Sequence, residues 1–375
     1  MTMTTKPIGL YVHIPFCVRK CNYCDFCSFS GKERDFKDEY VSALCREIEG
    51  YQGKGIALDS IFFGGGTPTT LDEGQLGKIV AAIKDTFSVT EDVEFSMEAN
   101  PGTVDEQKLK ALTSMGVNRL SFGLQSIHDN ELKILGRIHN YDDFAEAFAM
   151  ARRCGISNIN VDLMYGIPEQ TADSFALTLE KIKALSPEHI SLYGLILEEG
   201  TPLYRMQDSL PLPSEDEECD MYYFAADALG FAGYNHYEIS NYARDGKECR
   251  HNLKYWRCEE YIGVGLSAYS YYEGVRFGNT DDVAVYLSGN YTEYSNRETI
   301  DDESAAYERV MLGLRTAEGI SLSEYETRFL HSFISGREEK IASLINEGYA
   351  RISGDRFSLT EKGFYVSNSI LTELI

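Results

Sequence analysis

The feature that most restricts the fold of this chain is an alternation of apolar runs and amphipathic segments over its first half. The apolar runs begin at residues 9, 58, 93, 119, 158 and 189. Helical patterns lie between them, at residues 36–51, 73–87, 105–116, 142–155 and 173–185. Buried strands that alternate with helices predict a parallel sheet covered by helices. Because six units fall short of the eight that close a barrel, we expect an α/β fold with a partial (β/α)6 barrel.

Glycine-rich or polar sequence stands where four of these runs end. The second run ends in a GGGTP loop at residues 64–68, and the next three end near Glu98, Gln125 and Asp162. In parallel α/β folds this carboxyl edge of the sheet is where ligands bind, and glycine lets a ligand approach the backbone closely. A single strand-end carboxylate is usually a turn or cap residue. Three polar residues on one edge favour a polar ligand instead.

The charge and the cysteine content exclude some classes of protein. A formal net charge of −24 on 375 residues disfavours nucleic acid as a partner, since that binding depends on basic residues. The sequence has no apolar run long enough to span a membrane and no leader-like N-terminus, so we expect a cytoplasmic protein. Nine cysteines, an odd number, then indicate reduced thiols rather than disulfides.

Four of the cysteines lie in the stretch 17-CVRKCNYCDFC-27. A zinc site usually takes two ligand pairs separated by a longer loop, which this stretch lacks. A thioredoxin-like pair would use only two of the four thiols. An iron–sulfur cluster is larger than a single ion, and a short loop can present thiolates to several of its corners.

Cys17, Cys21 and Cys24 form a CxxxCxxC pattern directly after the first apolar run. This spacing resembles the cluster loop of the radical S-adenosylmethionine (SAM) superfamily. The resemblance implies a [4Fe–4S] cluster on these three cysteines, with SAM chelating the fourth iron. A permanent fourth thiolate would displace SAM, so we expect that Cys27 is not a cluster ligand, and its role stays open.

Further blocks narrow the resemblance to the oxygen-independent coproporphyrinogen III oxidase group of radical SAM proteins. They are YVHIPFCVRKCNYCDFCSF, FFGGGTPT, EANPGT, SFGLQS, LGRIH and VDLMYGIPEQT. The resemblance implies a SAM site lined by Tyr11, Tyr23, Gly65, Gly66, Thr67, Glu98, Gln125, Arg137 and Asp162. Arg137 is suited to pair with the SAM carboxylate through two parallel hydrogen bonds.

The pattern changes twice after the predicted barrel. We expect a radical SAM core at residues 1–205, a mixed α/β extension rich in Tyr and Gly at 206–300, and a winged-helix-like domain at 301–375. Acidic residues outnumber basic ones across 303–375, which makes the last domain a structural cap or docking surface rather than a DNA-binding module.

The group contains decarboxylating oxidases and HemW-type heme chaperones, and two features resemble the chaperone branch. Few residues precede Cys17, and the fourth thiol extends the pattern to CxxxCxxCxxC. In addition, 251-HNLKYW-256 matches the HNxxYW signature of that branch. The neutral imidazole of His251 could bind heme iron, with Tyr255 and Trp256 offering flat surfaces to the macrocycle. The alternative is that His251 is a structural residue whose ring nitrogens are hydrogen-bonded within an aromatic part of the core.

The resemblance therefore implies a heme chaperone that binds heme, a [4Fe–4S] cluster and SAM. Its partners would be recipient hemoproteins such as respiratory cytochromes. Any association with a membrane would be peripheral and would occur through these recipients. The chaperone could also form a homodimer. The first alternative is an enzyme, an oxygen-independent coproporphyrinogen III oxidase or another radical SAM oxidoreductase that modifies a tetrapyrrole. The second is a zinc-stabilised interaction module.

Overall fold

The computed structural model describes residues 6–292 and 297–375, so residues 1–5 of the predicted core and 293–296 of the predicted extension lie outside the description. In chain order the strands are β1 Ile8–Ile14, β2 Phe16–Cys17, β3 Phe29–Ser30, β4 Ala57–Gly65, β5 Ser88–Ala99, β6 Arg119–Gln125, β7 Asn158–Tyr165, β8 His189–Gly194, β9 Asn235–Glu238, β10 Asn241–Ala243, β11 Tyr261–Val264, β12 Tyr269–Tyr272, β13 Val275–Gly278, β14 Glu298–Thr299, β15 Ile320–Ser321, β16 Ala350–Ser353 and β17 Arg356–Leu359.

The α-helices, in the same order, are α1 Arg34–Glu49, α2 Glu73–Thr86, α3 Glu106–Met115, α4 Asp129–Ile134, α5 Tyr141–Arg153, α6 Ala172–Leu185, α7 Pro202–Arg205, α8 Glu215–Phe231, α9 Arg250–Trp256, α10 Val283–Leu287, α11 Asp302–Gly313, α12 Leu322–Phe329, α13 Glu338–Asn346, α14 Glu361–Tyr365 and α15 Ser367–Leu374. Short 3-10 segments occur at Pro68–Thr70, Pro101–Thr103 and Gln207–Ser209. In the described part of the chain, every helix is too short or too polar to cross a lipid bilayer.

Strands β1 and β4–β8 form the predicted partial barrel. Their order in the sheet is β1-β4-β5-β6-β7-β8, and each neighbouring pair is parallel. Helices α1, α2, α3, α5 and α6 lie between successive strands in the chain, as the alternation of patterns predicts. The α/β fold class with a partial (β/α)6 barrel is therefore confirmed.

Local sequence explains why the strands and helices alternate so regularly. The seven residues of β6 are all buried, which suits a strand covered on both faces. Helices α2, α5 and α6 each begin at a capping box in which two residues bond reciprocally to backbone N–H groups. Each helix therefore starts at a defined point after its strand, which fixes the strand ends relative to one another.

Strands after the barrel continue the same sheet at both edges. β11 pairs in parallel with β1, and antiparallel β12, β13 and β14 follow it. β10 and β9 pair antiparallel beyond β8. The sheet order ends in β14 at one edge and β9 at the other, so the barrel is open.

Helix α9, which carries the HNLKYW sequence, lies against the polar inner face of the barrel. Its first backbone N–H groups, those of Arg250 and His251, donate to the carboxylate of Glu94 on β5 at 3.0 and 3.1 Å. This acceptor satisfies donors that a helix N-terminus leaves without an intrahelical partner. The helix is therefore fixed inside the barrel rather than on its surface.

The C-terminal residues have a hydrophobic core of their own. It includes Val310, Ile320, Phe333, Ile341 and Phe357. Helices α11–α15 surround an antiparallel sheet of order β15-β17-β16. This arrangement of helices with a short hairpin confirms the winged-helix-like pattern expected from the sequence.

Candidate functional site

A pocket of about 430 Å³ lies at the carboxyl edge of the barrel strands, and we call it the cysteine pocket. It is lined by residues from the cysteine loop and from the ends of β4–β8. The predicted residues that it brings together are Cys17, Cys21, Cys24, Tyr23, Gly65, Gly66, Thr67, Glu98, Gln125, Arg137 and Asp162. Sequence positions up to 145 residues apart thus meet in one site, as the carboxyl-edge rule for parallel sheets predicts.

The cysteine loop is anchored to the barrel by several contacts. The backbone N–H and the side-chain amide of Asn22 donate to the carbonyls of Leu135 and Ile134, at 2.9 and 2.8 Å. The Thr67 hydroxyl lies 3.8 Å from the sulfur of Cys17. Burial raises the pKa of Cys24 to about 11, so its thiol stays protonated until a metal takes the proton's place.

The thiols line the pocket without forming a ready-made site for one ion. Among residues 6–292 and 297–375, no three His, Cys, Asp or Glu side chains converge closely enough to hold a single metal ion.

Arg137 has the geometry of an anion-binding residue. Its Nη1 donates to the sulfur of Cys21 at 3.3 Å, and its Nη2 donates to the carbonyl of Gly123 and the side-chain oxygen of Asn100. Its Nε is buried and has no hydrogen-bond partner among the described residues. A buried donor without a partner is costly, and a bound carboxylate would satisfy it.

Two buried carboxyl groups lie across the pocket from the cysteine loop. Glu98 accepts a hydrogen bond from the N–H of Gly65 at 3.1 Å, while Asp162 accepts from Asn160 at 2.7 Å and from Ser121 at 3.2 Å. Burial, followed by the charge of Asp162, raises the pKa of Glu98 to about 8. Burial also raises the pKa of Asp162. The pocket can thus accept hydroxyl or amine donors at two fixed points.

The glycines of the GGGTP loop are needed for close packing as well as for lining the pocket. Gly65 has φ +107°, and a Cβ there would meet the ring of His13 at 2.4 Å. At Gly66 a Cβ would lie 2.8 Å from the backbone oxygen of Phe16. Any larger residue would push the loop away from the strand that carries the cysteines.

Tyr11, expected in the SAM site, lies instead in a neighbouring cavity of about 480 Å³, which we call the tyrosine cavity. This cavity is lined by Tyr11, His13, Phe26, Cys27, Gly65, Glu98, Tyr255, Tyr261, Ser267, Ala268 and Tyr269. The side chain of β1 residue 11 points to this side because Tyr11 and His13 share one face of the strand. Gly65, Glu98 and Phe26 border both cavities.

Cys27 also lines the tyrosine cavity and not the cysteine pocket. Its carbonyl accepts a hydrogen bond from Nε2 of His13 at 2.9 Å, and Nδ1 of His13 lies 3.0 Å from the Tyr11 hydroxyl. His13 therefore braces the end of the cysteine loop against β1. The fourth thiol therefore lines a different cavity from the other three.

The predicted heme ligand His251 is buried, and both of its ring nitrogens lie within hydrogen-bond distance of other side chains. Its ring is 1% exposed, Nδ1 lies 3.0 Å from the Ser60 hydroxyl, and Nε2 lies 2.8 Å from the Tyr255 hydroxyl. Burial lowers the pKa of His251 to about 3, so the ring is neutral. A neutral imidazole has one donor and one acceptor nitrogen, and both are used within the protein.

Three other residues of the HNLKYW sequence line three different cavities. Asn252 lines the cysteine pocket and Tyr255 lines the tyrosine cavity. Trp256 lines a third cavity of about 810 Å³, which we call the arginine cavity. Its lining residues come from the start of β1, the end of α9, the β12 strand and the C-terminal domain: Lys6, Pro7, Ile8, Trp256, Arg257, Cys258, Glu259, Glu260, Tyr271, Arg309, Thr316, Glu318, Gly319, Glu324, Tyr325, Arg328, Phe329 and Arg356.

Sequence reasoning missed several residues of the cysteine pocket. They are Asn100, Arg119, Ser121, Asn160, Ser191, Tyr193 and Asn252. Asn100 and Asn252 stand inside the EANPG and HNLKYW blocks, which could have indicated them. Arg119 is the first residue of β6. An arginine at the start of a strand is expected to be exposed to solvent, but this one is only 2% exposed.

Comparison with known proteins gives a family for the whole chain. A model described as the radical SAM superfamily matches residues 11–182, and one described as the HemN C-terminal domain matches residues 300–366. The chain is 36% identical to the heme chaperone HemW of Lactococcus lactis, over 100% of this chain and 98% of that protein. It is 33% identical to the heme chaperone HemW of Escherichia coli, over 97% of each.

A solved structure with the same fold is that of coproporphyrinogen III oxidase (HemN) from Escherichia coli, described as a radical SAM enzyme. It superposes with a TM-score of 0.85 over 98% of this chain and 90% of that chain, at 24% identity. That likeness supports the fold, while the full-length identity to HemW proteins identifies the branch. The chain belongs to the HemW family of the radical SAM superfamily.

Proposed function

We propose that the protein is a heme chaperone, which binds heme and transfers it to hemoproteins such as respiratory cytochromes. In this proposal Cys17, Cys21 and Cys24 hold a [4Fe–4S] cluster and SAM occupies the cysteine pocket. The observation that carries the proposal is the assembly of those thiols, Arg137 and the buried carboxyls in one pocket of a HemW-family chain. The heme function is taken from the relatives' names.

The residues of the cysteine pocket suit the two cofactors that the superfamily implies. Three thiols meet the need of a cluster for thiolate ligands. The unpartnered Nε of Arg137 suits the carboxylate of SAM, and Glu98 or Asp162 suits a hydroxyl or amine donor. When bound, the cluster and SAM supply one-electron chemistry. Arg137, Glu98 and Asp162 would then orient the amino-acid and ribose parts of SAM.

The size of the cysteine pocket suits one ligand rather than two. Pockets of roughly 300–1,000 Å³ bury one drug-sized ligand. At about 430 Å³, with Asn252 of α9 in its wall, the cysteine pocket has room for SAM but not for a tetrapyrrole beside it. A macrocycle would have to occupy another cavity.

One observation favours a second function, a radical SAM enzyme that modifies a tetrapyrrole. The tyrosine cavity shares Gly65 and Glu98 with the cysteine pocket, so a molecule in it would lie next to SAM. However, its lining contains no Lys or Arg, and Glu98 is its one acidic member. A tetrapyrrole with several carboxylates would find no cationic partner there.

Four further aspects belong to the same proposal. A chaperone for respiratory hemoproteins would work in the cytoplasm and meet membranes only through its recipients. Its partners are heme and proteins, and the strongly negative net charge disfavours nucleic acid. A homodimer is compatible with this function. Turnover of SAM is not required for heme transfer.

The test is anaerobic reconstitution with iron and sulfide, followed by iron counting, a SAM-binding measurement and a hemin titration read by absorbance. We expect about four non-heme irons per chain, binding of SAM, and a Soret band on addition of hemin. Incubation of the same protein with SAM, a reductant and coproporphyrinogen III should leave that substrate unchanged. Formation of protoporphyrinogen would instead establish the enzyme, and an iron-free, colourless protein would overturn the cofactor assignment.

A further inference from the structure

Asn100, the residue after β5, joins two parts of the cysteine pocket that lie far apart in the sequence. Its side-chain oxygen accepts from Nη2 of Arg137, and its side-chain nitrogen donates to the Thr67 hydroxyl at 2.7 Å. Thr67 stands 33 positions before it and Arg137 stands 37 positions after it. One short side chain therefore connects the GGGTP loop to the arginine that is expected at the SAM carboxylate.

The backbone of Asn100 is fixed by the turn that follows it. Its N–H donates to the Thr103 hydroxyl oxygen at 3.2 Å, and its carbonyl accepts from the same hydroxyl at 2.7 Å. Nζ of Lys108 donates to the carbonyls of Thr69 and Thr103 at 2.7 and 3.2 Å, which ties this turn to the one after β4. The side chain of Asn100 therefore starts from a defined place between the two loops.

The direction of each hydrogen bond along this path follows from the groups involved. A guanidinium has donors only, so the atom of Asn100 that faces Arg137 is the oxygen and its NH2 group faces Thr67. The Thr67 hydroxyl accepts from that group, which leaves its own proton for the sulfur of Cys17, 3.8 Å away. Thr67 is 2% exposed, so bulk water does not compete for this proton. The bonds from Arg137 to Cys17 all point towards the sulfur, and bonds aligned in this way strengthen one another.

Arg137 also contacts a second cysteine of the loop. Its Nη1 donates to the sulfur of Cys21 at 3.3 Å, while its Nη2 is shared between Asn100 and the carbonyl of Gly123. These contacts fix the plane of the guanidinium and leave Nε without a partner among the described residues. Asn100 therefore acts on the donor that is expected at SAM and on groups that reach two of the three thiols expected at the cluster.

We propose that Asn100 is a positioning residue that orients Arg137 towards the SAM carboxylate and the Thr67 hydroxyl towards the sulfur of Cys17. This inference rests on the proposed function, because it presupposes a [4Fe–4S] cluster on the three cysteines. Hydrogen bonds to cluster sulfurs stabilise the more negative, reduced state and so raise the reduction potential. Asn100 thus raises the potential at which the cluster accepts an electron, through the same side chain that holds the SAM-binding arginine.

Both tasks need an amide, which has a donor and an acceptor. An aspartate at position 100 would still accept from Arg137, but it would also accept from Thr67 and turn the hydroxyl proton away from Cys17. A leucine would fill the space and hold neither neighbour. The two replacements therefore separate the effect on the cluster from the effect on the arginine.

The test measures the cluster's reduction potential by a reductive titration followed by electron paramagnetic resonance, and SAM affinity by equilibrium dialysis. In Asn100→Asp and in Thr67→Val the cluster should be about tenfold less reduced at a fixed potential, a shift of roughly 59 mV to more negative values. Thr67→Ser keeps the hydroxyl and should keep the wild-type potential. Asn100→Leu should show the same shift and also raise the Kd for SAM about tenfold, because Arg137 loses an acceptor that orients it.

Asn118→Asp and Thr178→Val are the matched controls. Asn118 also bridges two groups, since it accepts from the N–H of Phe95 at 2.9 Å and donates to the carbonyl of Val93 at 2.7 Å. Thr178 is a buried threonine whose hydroxyl donates to the carbonyl of Ser174 at 3.1 Å. Neither residue lines the cysteine pocket, so both variants should keep the wild-type potential and SAM affinity.

The outcomes distinguish this inference from the proposed function. Wild-type protein that takes up no iron or binds no SAM would overturn the proposed function, and the inference with it. If the wild type takes up both and the variants of Asn100 and Thr67 keep its potential and SAM affinity, only the role of Asn100 is wrong. Loss of iron from these variants, with a native circular dichroism spectrum, would also contradict that role, because Asn100 would then hold the cluster in place rather than adjust its potential.

Discussion

The arginine cavity lies at the start of β1, whereas the cysteine pocket follows the end of that strand, and the two are built in different ways. The cysteine pocket is assembled from the ends of successive β/α units, so each lining residue has a fixed place in a repeating pattern. The arginine cavity is assembled from the start of β1, one helix end and the C-terminal domain, which no repeat relates. The repeating β/α units therefore determine which residues line the cysteine pocket. The residues that line the arginine cavity depend instead on how three separate segments pack together.

Helix α9 connects the two regions. Asn252 lines the cysteine pocket, and Trp256, four residues later, lines the arginine cavity. The buried His251, which directly precedes Asn252, lies within hydrogen-bond distance of the hydroxyls of Tyr255 and Ser60. The two cavities therefore share one helix as part of their walls.

The largest expected effect is the loss of the iron–sulfur cluster from the cysteine pocket. Replacing Cys17, Cys21 and Cys24 together by serine should reduce non-heme iron from about four per chain to near zero, because serine does not replace a thiolate at a cluster. Hemin affinity should stay within about twofold of the wild type, since the cysteine pocket has no room for a macrocycle beside SAM. Iron analysis and a hemin titration on the same preparation give both results.

Cys27→Ser is the matched control for that variant. Its thiol faces the tyrosine cavity, so its iron content should equal that of the wild type. Iron retained by the triple-serine protein, or lost to the same extent in Cys27→Ser, would contradict the assignment of the ligands.

The next effect concerns Arg137 and stays within the cysteine pocket. Arg137→Gln should raise the Kd for SAM by about 10–100-fold, because a charge-assisted hydrogen bond to the carboxylate contributes roughly 1.5–3 kcal/mol. Equilibrium dialysis with the reconstituted protein measures it. Hemin binding should not change.

The control for this variant is Arg152→Gln. Arg152 is also partly buried, donates to the carbonyl of Ser157 at 2.7 Å and pairs with Glu188 at 2.8 Å, but it lies outside both regions. It reports how much SAM affinity falls from lost packing alone. Equal losses in the two variants would exclude a direct contact between Arg137 and SAM.

A third prediction tests the helix between the regions. His251→Gln should lower the free energy of unfolding by about 1–2 kcal/mol, because Ser60 and Tyr255 lose buried partners. The Soret maximum of the hemin complex should stay where it is, since His251 has no free nitrogen. Urea unfolding and absorbance spectra check the two statements, and a shifted Soret band with unchanged stability would restore His251 as the iron ligand.

The smallest effect is a pH dependence at Glu98. Its pKa in the folded protein is raised to about 8, so the folded state keeps a proton that the unfolded chain releases near its ordinary value. Stability from this group is present at low pH and is lost as the pH rises towards 8. Because the carboxyl faces an open pocket, we expect only about 1 kcal/mol between pH 5 and 8.

Glu98→Gln should remove this slope, whereas Glu91→Gln, which changes an exposed carboxyl, should keep it. Chemical denaturation at several pH values compares the three proteins. Parallel stability curves for the wild type and Glu98→Gln would show that the carboxyl is not held protonated by burial.

The sequence predicts the cysteine pocket well for a physical reason. Parallel strands bring their carboxyl ends to one edge, so Glu98, Gln125 and Asp162 could be placed together without knowing any contact. The spacing of the cysteines adds local chemistry to that edge. The cavity that Tyr11 lines could not be predicted, because the side chains of a strand alternate between its faces and the sequence does not say which face borders the cysteines.

The arginine cavity could not be predicted in the same way. Cys258, Arg309 and Arg328 are separated by up to 70 positions and belong to no periodic pattern. Their meeting depends on how the C-terminal domain packs against α9 and β1, which is a tertiary property. His251 illustrates the same limit, because the HNLKYW sequence suggests a ligand, but only the position of Ser60 and Tyr255 shows that its nitrogens are used.

The most direct test of two separate sites is a hemin titration of cluster-loaded protein in which SAM is already bound. The account predicts that one heme binds while the amount of bound SAM and the cluster absorbance stay constant. Hemin that displaces SAM in proportion to its own binding would place both ligands in one pocket and contradict the account.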